Sequence, residues 1–236
     1  WKIMRPTIST GSIRTMVGKF KIPDKPAELA LWFFILISKL PFWFLYRISD
    51  GLYLLFFYLV RYRRKVVEEN LVACFPEISL AEIRRIEKEF YRHLCDVMVE
   101  TLKLLSITPE ELRLRIRHEN PGFADGIISK GGSYVAMATH MGNWEWLLAG
   151  NALYLDGKID AVYKPLHNPF FDRLMSFIRT RFGCYPVASD QVLRQQIARK
   201  KIPKGIVQFY RDRSMSTQLI ITIILIFISF FSELFN

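Results

Sequence analysis

Apolar residues recur near helical spacing in "SLAEIRRIEKEFYRHLCDVMVETLKLL", where Ile83, Ile86, Phe90, Leu94, Val97 and Leu104 fall on one stripe. Ser79 with Glu82 three residues later is a capping-box start, so the pattern predicts a long amphipathic helix within a helical stretch over residues 62–105. "TPEELRLRIRHEN" predicts a shorter helix with its own threonine cap. Downstream the period changes. "GGSYVAM" reads as a turn followed by a buried strand, and "NWEWLLAGNALYL" as a helix with Asn143 at its N-cap. "IDAVYKPL" predicts a second strand and "NPFFDRLMSFIRTRFG" a helix stopped by Gly183. "DQVLRQQIARK" predicts a further helix and "KGIVQFY" a third strand. Strands alternating with helices predict an α/β sandwich around a mixed or parallel sheet. No internal repeat and no glycine-rich phosphate loop breaks this order.

Apolar density is highest in "LALWFFILISKLPFWFLYRISDGLYLLFFYLV", residues 29–60. Lys39, Pro41, Arg47 and Asp50 interrupt it, so no run reaches the ~20 apolar residues that cross a bilayer. Both flanks are basic, with Lys19, Lys21 and Lys25 before it and "RYRRK" after it. That symmetry predicts a membrane hairpin or an anchor lying in the interface rather than a crossing helix. A buried helical hairpin of a soluble protein is the alternative. Residues 1–28 form a polar, basic segment whose Pro6, Pro23 and Pro26 oppose long regular structure. The tail, "MSTQLIITIILIFISFFSELFN" over residues 215–236, has neither helical amphipathicity nor strand alternation. It reads either as a hydrophobic tail strand or anchor, or as the product of a shifted reading frame.

The totals narrow the partners. The 236 residues are 51% hydrophobic and 14% aromatic with a net charge of +11, which excludes disorder and allows one sizeable core. Such basicity suits nucleic acid or an anionic membrane surface. The aromatics cluster in apolar runs instead of interleaving with Lys and Arg, which argues against nucleic acid. Cys74, Cys95 and Cys184 have no metal-ligand spacing and read as buried thiols in a reducing compartment. No secretory cleavage site follows the first apolar stretch, and the chain opens on Trp1.

The candidate chemistry lies in "ATHMGNWEW", residues 138–146. His140 stands at a strand-to-helix seam, where α/β proteins place reactive groups. A neutral imidazole can take a proton from a hydroxyl, and a carboxylate on its other nitrogen fixes the tautomer. Within one helix a five-residue step separates side chains by about 140°, so pairing with Glu145 requires the bend before the helix. No second histidine or cysteine lies near enough in sequence for zinc. His93 and His118 read as ordinary helix residues, and His167 neighbours a basic loop.

"HMGNWEW" and the strand before it resemble the H-x4-D/E motif of glycerolipid-type acyltransferases, and more narrowly the lipid A late acyltransferase family of lauroyl and myristoyl transferases. "LPFWFLYRISDGLYLLFFYLVRYRRKVVEENLVACFP" is similar to that family's anchor and the stretch after it. "FYRHLCDVMVETLKLL", "NPFFDRLMSFIRTRFG" and "GIVQFYRDRS" resemble further family blocks in order, so the likeness runs from about residue 38 to 214. The resemblance implies a glycerolipid-acyltransferase-like α/β fold with an N-terminal membrane-associated helical segment. It implies transfer of a fatty acyl chain from an acyl carrier protein thioester to a hydroxyl of a lipid A precursor. His140 would be the general base and Glu145 its partner, with no cofactor, no metal and no covalent acyl-enzyme. The absence of a G-x-S-x-G elbow agrees. Asn143 would shape the entrance, with Trp144 packing in the core.

In the same family reading, Arg173 is expected to face the phosphorylated acceptor or the motif's acid. Lys164, Asn168, Arg179 and Arg181 are neighbouring polar candidates, and Asp212 matches an acidic family position. The domains implied are a basic segment (1–28), an anchor or interfacial hairpin (29–61), an acyltransferase domain (62–214) and the atypical tail (215–236). The partners are acyl carrier protein, a lipid A precursor or other glycolipid, and membrane lipids, at the cytoplasmic face of the inner membrane. Arg213 stands where the family commonly has Gln, and the family normally continues well beyond this point. Two other readings therefore stay open: the same chemistry on another glycolipid or amino-acid lipid, and an inactive, C-terminally truncated copy.

Overall fold

A computed structural model of the chain describes residues 25–130, 134–138, 141–155, 158–192, 194 and 205–210. The chain begins with α1 (Lys25–Ser38) and α2 (Phe42–Leu54), the latter running on through a π-helical turn, Leu55–Leu59. Four more helices follow: α3 (Arg64–Cys74), α4 (Leu80–Lys103), α5 (Pro109–Arg115) and α6 (Pro121–Ser129). Alternation then starts with β1 (Tyr134–Ala138), α7 (Trp144–Tyr154), β2 (Lys158–Tyr163), α8 (Pro169–Arg181), β3 (Cys184–Ala188) and β4 (Gly205–Tyr210). The strands lie in the order β1-β4-β2-β3. All three pairings are parallel, so the described strands resolve the expected mixed or parallel sheet as parallel. The protein is a mixed α/β fold, mostly helical, around this small sheet.

Local chemistry sets the helix starts. The Ser79 hydroxyl accepts from the Glu82 amide at 3.2 Å, and Thr108 accepts from Glu111 at 3.1 Å. Each such cap stabilises its helix by about 1 kcal/mol. At the end of α8, Gly183 takes a φ of +96°, which a side chain would resist, and turns the chain into β3.

Three features depart from expectation. β3 is an additional strand, hidden in the sequence by Pro186; it pairs with β2 alone among the described strands, and an edge position tolerates the missing donor. α6 forms despite Gly122 and Gly126, whose poor propensity masks it. β1 is not buried on both faces: Val135 is 58% and Met137 61% exposed. Most of the helix expected at "DQVLRQQIARK", the basic segment up to residue 24 and the tail from residue 211 lie outside the described residues.

The hairpin is part of the core. Leu31, Phe34 and Ile35 of α1 bury into one cluster with Leu104 and Leu105 after α4 and Leu174 and Ile178 of α8. Burying a side chain of this size contributes about 1.5–3 kcal/mol. The corner between α1 and α2 is held from α4's end, where Lys103 Nζ donates to the Leu40 carbonyl at 2.9 Å and Ser106 to that of Ser38 at 2.5 Å. Burial holds the Lys103 ammonium below its ordinary pKa. The opposite face stays apolar and open, with Leu36 and Trp43 each 67% exposed and Phe33 46%. No single described helix is long and apolar enough to cross a membrane; the pair Leu29–Ser38 and Phe42–Leu59, bent by 119°, is apolar enough together.

A second cluster joins α2 to α4 through Tyr53, Phe57, Tyr91, Leu94 and Met98. Tyr91 donates to the Tyr62 carbonyl inside it. At its edge the fully buried Glu87 accepts from Arg64 at 2.9 and 3.4 Å. Removing one member of such a pair strands the other. Arg64→Ala, which leaves the buried Glu87 without its counter-charge, is therefore expected to lose about 3 kcal/mol of unfolding free energy in detergent, read by denaturant titration. A loss under about 1 kcal/mol would show that the pair is solvated like a surface bridge.

Candidate active site

Asn143 starts α7. Its Oδ1 accepts from the Trp146 amide at 3.2 Å, the N-cap geometry expected of it, and its Nδ2 donates to Glu100 Oε2 of α4 at 2.8 Å. Glu145 follows in the helix's first turn, where the positive end of the helix dipole favours a carboxylate. It is only 4% exposed, and both its oxygens are bound by Arg179 of α8, from Nε at 3.0 Å and Nη2 at 2.6 Å. The guanidinium also lies 5.1 Å from the ring of Tyr163, the last residue of β2. A bidentate arginine leaves each carboxylate oxygen with lone-pair capacity for a further donor. Cys184, opening β3, is packed beneath this pair. Burial, reinforced by the Glu145 charge, pushes its thiol up to about 12.

The described strands β1 and β4 end at residues paired in register, Ala138 and Tyr210. His140, the expected base, and Asp212, which matches an acidic family position, each come two positions later in sequence and lie outside the described residues.

The sequence of the bacterial lipid A biosynthesis acyltransferase family matches residues 19–218. The chain belongs to that family. No curated protein matches it. The acyltransferase family assignment covers the hairpin, the sheet and every residue singled out as a candidate above.

Within this acyltransferase fold the candidates separate into distinct positions. Glu145 and Arg179 are together. The guanidinium on the acid belongs to Arg179, whereas Arg173 was expected to face either the acid or the acceptor; Arg173 is exposed, as is Lys164. The Asn168 side-chain Oδ1 caps α8, accepting from the Phe170 amide at 2.9 Å and the Phe171 amide at 3.4 Å. Arg181 donates to the Leu104 carbonyl at α4's C-terminus at 2.6 Å, and burial lowers its pKa to about 10. Trp144 is buried in the core. His118 is bound to Asn151 at 2.7 Å, while His93 and His167 are exposed. Glu100 was missed. A carboxylate inside the apolar run "VMVETLKLL" was its signal.

Arg179→Ala should lower unfolding stability by about 3 kcal/mol by leaving Glu145 buried without its counter-charge, with Arg179→Lys intermediate because one donor cannot span both oxygens. Equal stability of Arg179→Ala and wild type in chemical denaturation would contradict the pairing. Thiol chemistry gives a second check. Burial pushes the Cys95 and Cys184 thiols up to about 12, while Cys74 is exposed. Under native conditions at about pH 8, only Cys74 should react promptly with a disulfide reagent. Modification of Cys184 at the rate of Cys74 would show an open site.

Proposed function

We propose that the protein transfers a fatty acyl chain from an acyl carrier protein thioester to a hydroxyl of a lipid A precursor, with His140 as general base. The observation that carries this reading is Glu145: a carboxylate in the first turn of α7, buried, and held through both oxygens by Arg179. A carboxylate fixed this firmly is suited to orient an imidazole that arrives from the preceding loop. His140 removes the hydroxyl proton as that oxygen attacks the thioester carbonyl carbon. The tetrahedral intermediate carries an oxyanion, for which amides at the start of α7 are the donors proposed. Collapse breaks the carbon–sulfur bond, and the imidazolium returns its proton to the departing carrier thiolate. No acyl-enzyme forms. Arg179 acts here as a positioning residue for Glu145.

In a parallel sheet, ligands gather at the carboxyl ends of the strands. The sequences following β1, β2 and β4 contribute His140, then Lys164 and Asn168, then Asp212. Exposed Lys164 and Arg173 suit the phosphates of an anionic acceptor. Asn143 borders the entrance. The open apolar face of the hairpin, with exposed Arg61, Arg63 and Lys65 beyond it, suits an anionic bilayer surface. On this reading residues 29–61 are the membrane-contacting hairpin, 62–214 the acyltransferase domain, and the site of action is the cytoplasmic face of the inner membrane. Arg213, where the family commonly has Gln, favours a second reading in which this copy is inactive.

Membranes containing the wild-type protein should acylate a lipid A precursor from acyl carrier thioester, and His140→Ala should abolish transfer while remaining membrane-bound. Transfer retained by His140→Ala overturns the base assignment, and inactivity of both supports the inactive copy. Lipid A from a deletion strain should lack one acyl chain by mass spectrometry. An unchanged acyl count with transfer to another lipid in vitro would move the acceptor to that lipid. High salt alone should not extract the protein; extraction would refute apolar insertion of the hairpin.

A further inference from the structure

Glu100 joins three elements that are far apart in sequence. One carboxylate oxygen accepts from the Tyr46 hydroxyl of α2 at 3.0 Å, and the other from Asn143 Nδ2 at 2.8 Å. Its backbone carbonyl accepts from the indole Nε1 of Trp146 at 2.9 Å. Asn143 and Trp146 are the N-cap of α7 and the residue whose amide that cap binds, so Glu100 engages both ends of the cap. At about 100° per residue, Asn143 lies roughly 160° and Trp146 about 100° around the α7 axis from Glu145, so both point away from it. The start of α7 is thus gripped from two sides, by Glu100 on one and through Glu145 by Arg179 on the other.

We infer that Glu100 is a positioning residue for the reaction, tying the membrane-facing hairpin to the N-cap that sets the His140 segment against Glu145. The inference rests on the proposed function. Only Met141 and Gly142 separate His140 from Asn143, and Gly142 has a φ of +62°, a left-handed turn glycine takes readily, so the cap stands three residues from the proposed base. Glu100 also stands on the wall of an open cleft of about 380 Å³, beside Phe42, Arg115 and Leu147, where hairpin and domain meet. A shift of α2 therefore reaches α7 through the Glu100 carboxylate, beside the direct ring contact of Phe42 with Trp146, 5.9 Å between centroids. The role needs two hydrogen bonds, not charge. A glutamine at this position keeps both contacts, its oxygen accepting from Asn143 and its amide donating to the Tyr46 oxygen.

Steady-state transfer by reconstituted full-length protein tests this. Glu100→Ala should lower kcat about tenfold or more with KM for the thioester little changed, since misplacing a reacting group costs rate. Glu100→Gln should restore most of kcat. Amide hydrogen exchange at residues 144–147 should quicken about fivefold in Glu100→Ala and stay near wild type in Glu100→Gln, as loss of a well-held cap requires. Wild-type kcat in Glu100→Ala, or a Glu100→Gln variant as impaired as the alanine, overturns the proposal. If Glu100→Ala does not fold, Tyr46→Phe carries the test: a kcat about threefold lower supports the link to the hairpin, and an unchanged kcat overturns it. Should the wild type show no transfer at all, the proposed function fails, while unchanged exchange in Glu100→Ala would separately sink the grip on the cap.

Discussion

A carboxylate taken out of water between two helices has to be matched by charge, and for Glu145 the match is Arg179. Desolvating either ion alone costs several kcal/mol, so the pair holds only because two good hydrogen bonds and a buried geometry offset that cost. This constraint fixes α8 against α7. Beside the pair, among the described residues, stand the Tyr163 ring of β2, 5.1 Å from the guanidinium, and the buried Cys184 thiol of β3. Glu145 consequently has little freedom of its own. Just before it stands the capped segment that opens α7, at Asn143.

That segment is steadied from the other side by contacts reaching the hairpin. The α1–α2 corner is bound by Lys103 and Ser106, and Tyr46 is bound by Glu100. Core side chains of α1 interlock with α8, the helix that supplies Arg179. A hairpin anchored this way would have to give up part of the core to cross a bilayer. On the proposed reading, lying along the surface keeps both its buried and its open apolar faces covered. Membrane contact and site geometry would then share one set of contacts.

Much of this was legible in the sequence wherever the cause is local. Ser79, Thr108 and Asn143 declare their helix starts because a cap needs only the next three residues. The hairpin is visible as an apolar run broken by Pro41. Family membership was legible because several blocks recur in order. Other features depend on distant partners. Arg173 and Arg179 lie on the same helix about 120° apart, and only the packing of α8 decides which one meets Glu145. β3 is obscured by Pro186, harmless there because the strand lies at an edge. Glu100 meets Tyr46 and Asn143 across 54 and 43 residues, a separation no spacing pattern encodes.

In the proposed reaction His140 and Glu145 act as one unit. A double-mutant cycle on kcat/KM for acyl transfer, using His140→Ala, Glu145→Gln and the pair, tests their coupling. Each single change is expected to remove most of the activity, and the double change to add almost nothing to His140→Ala. Losses that simply multiply would mean that the two residues work independently, and the assignment would fall.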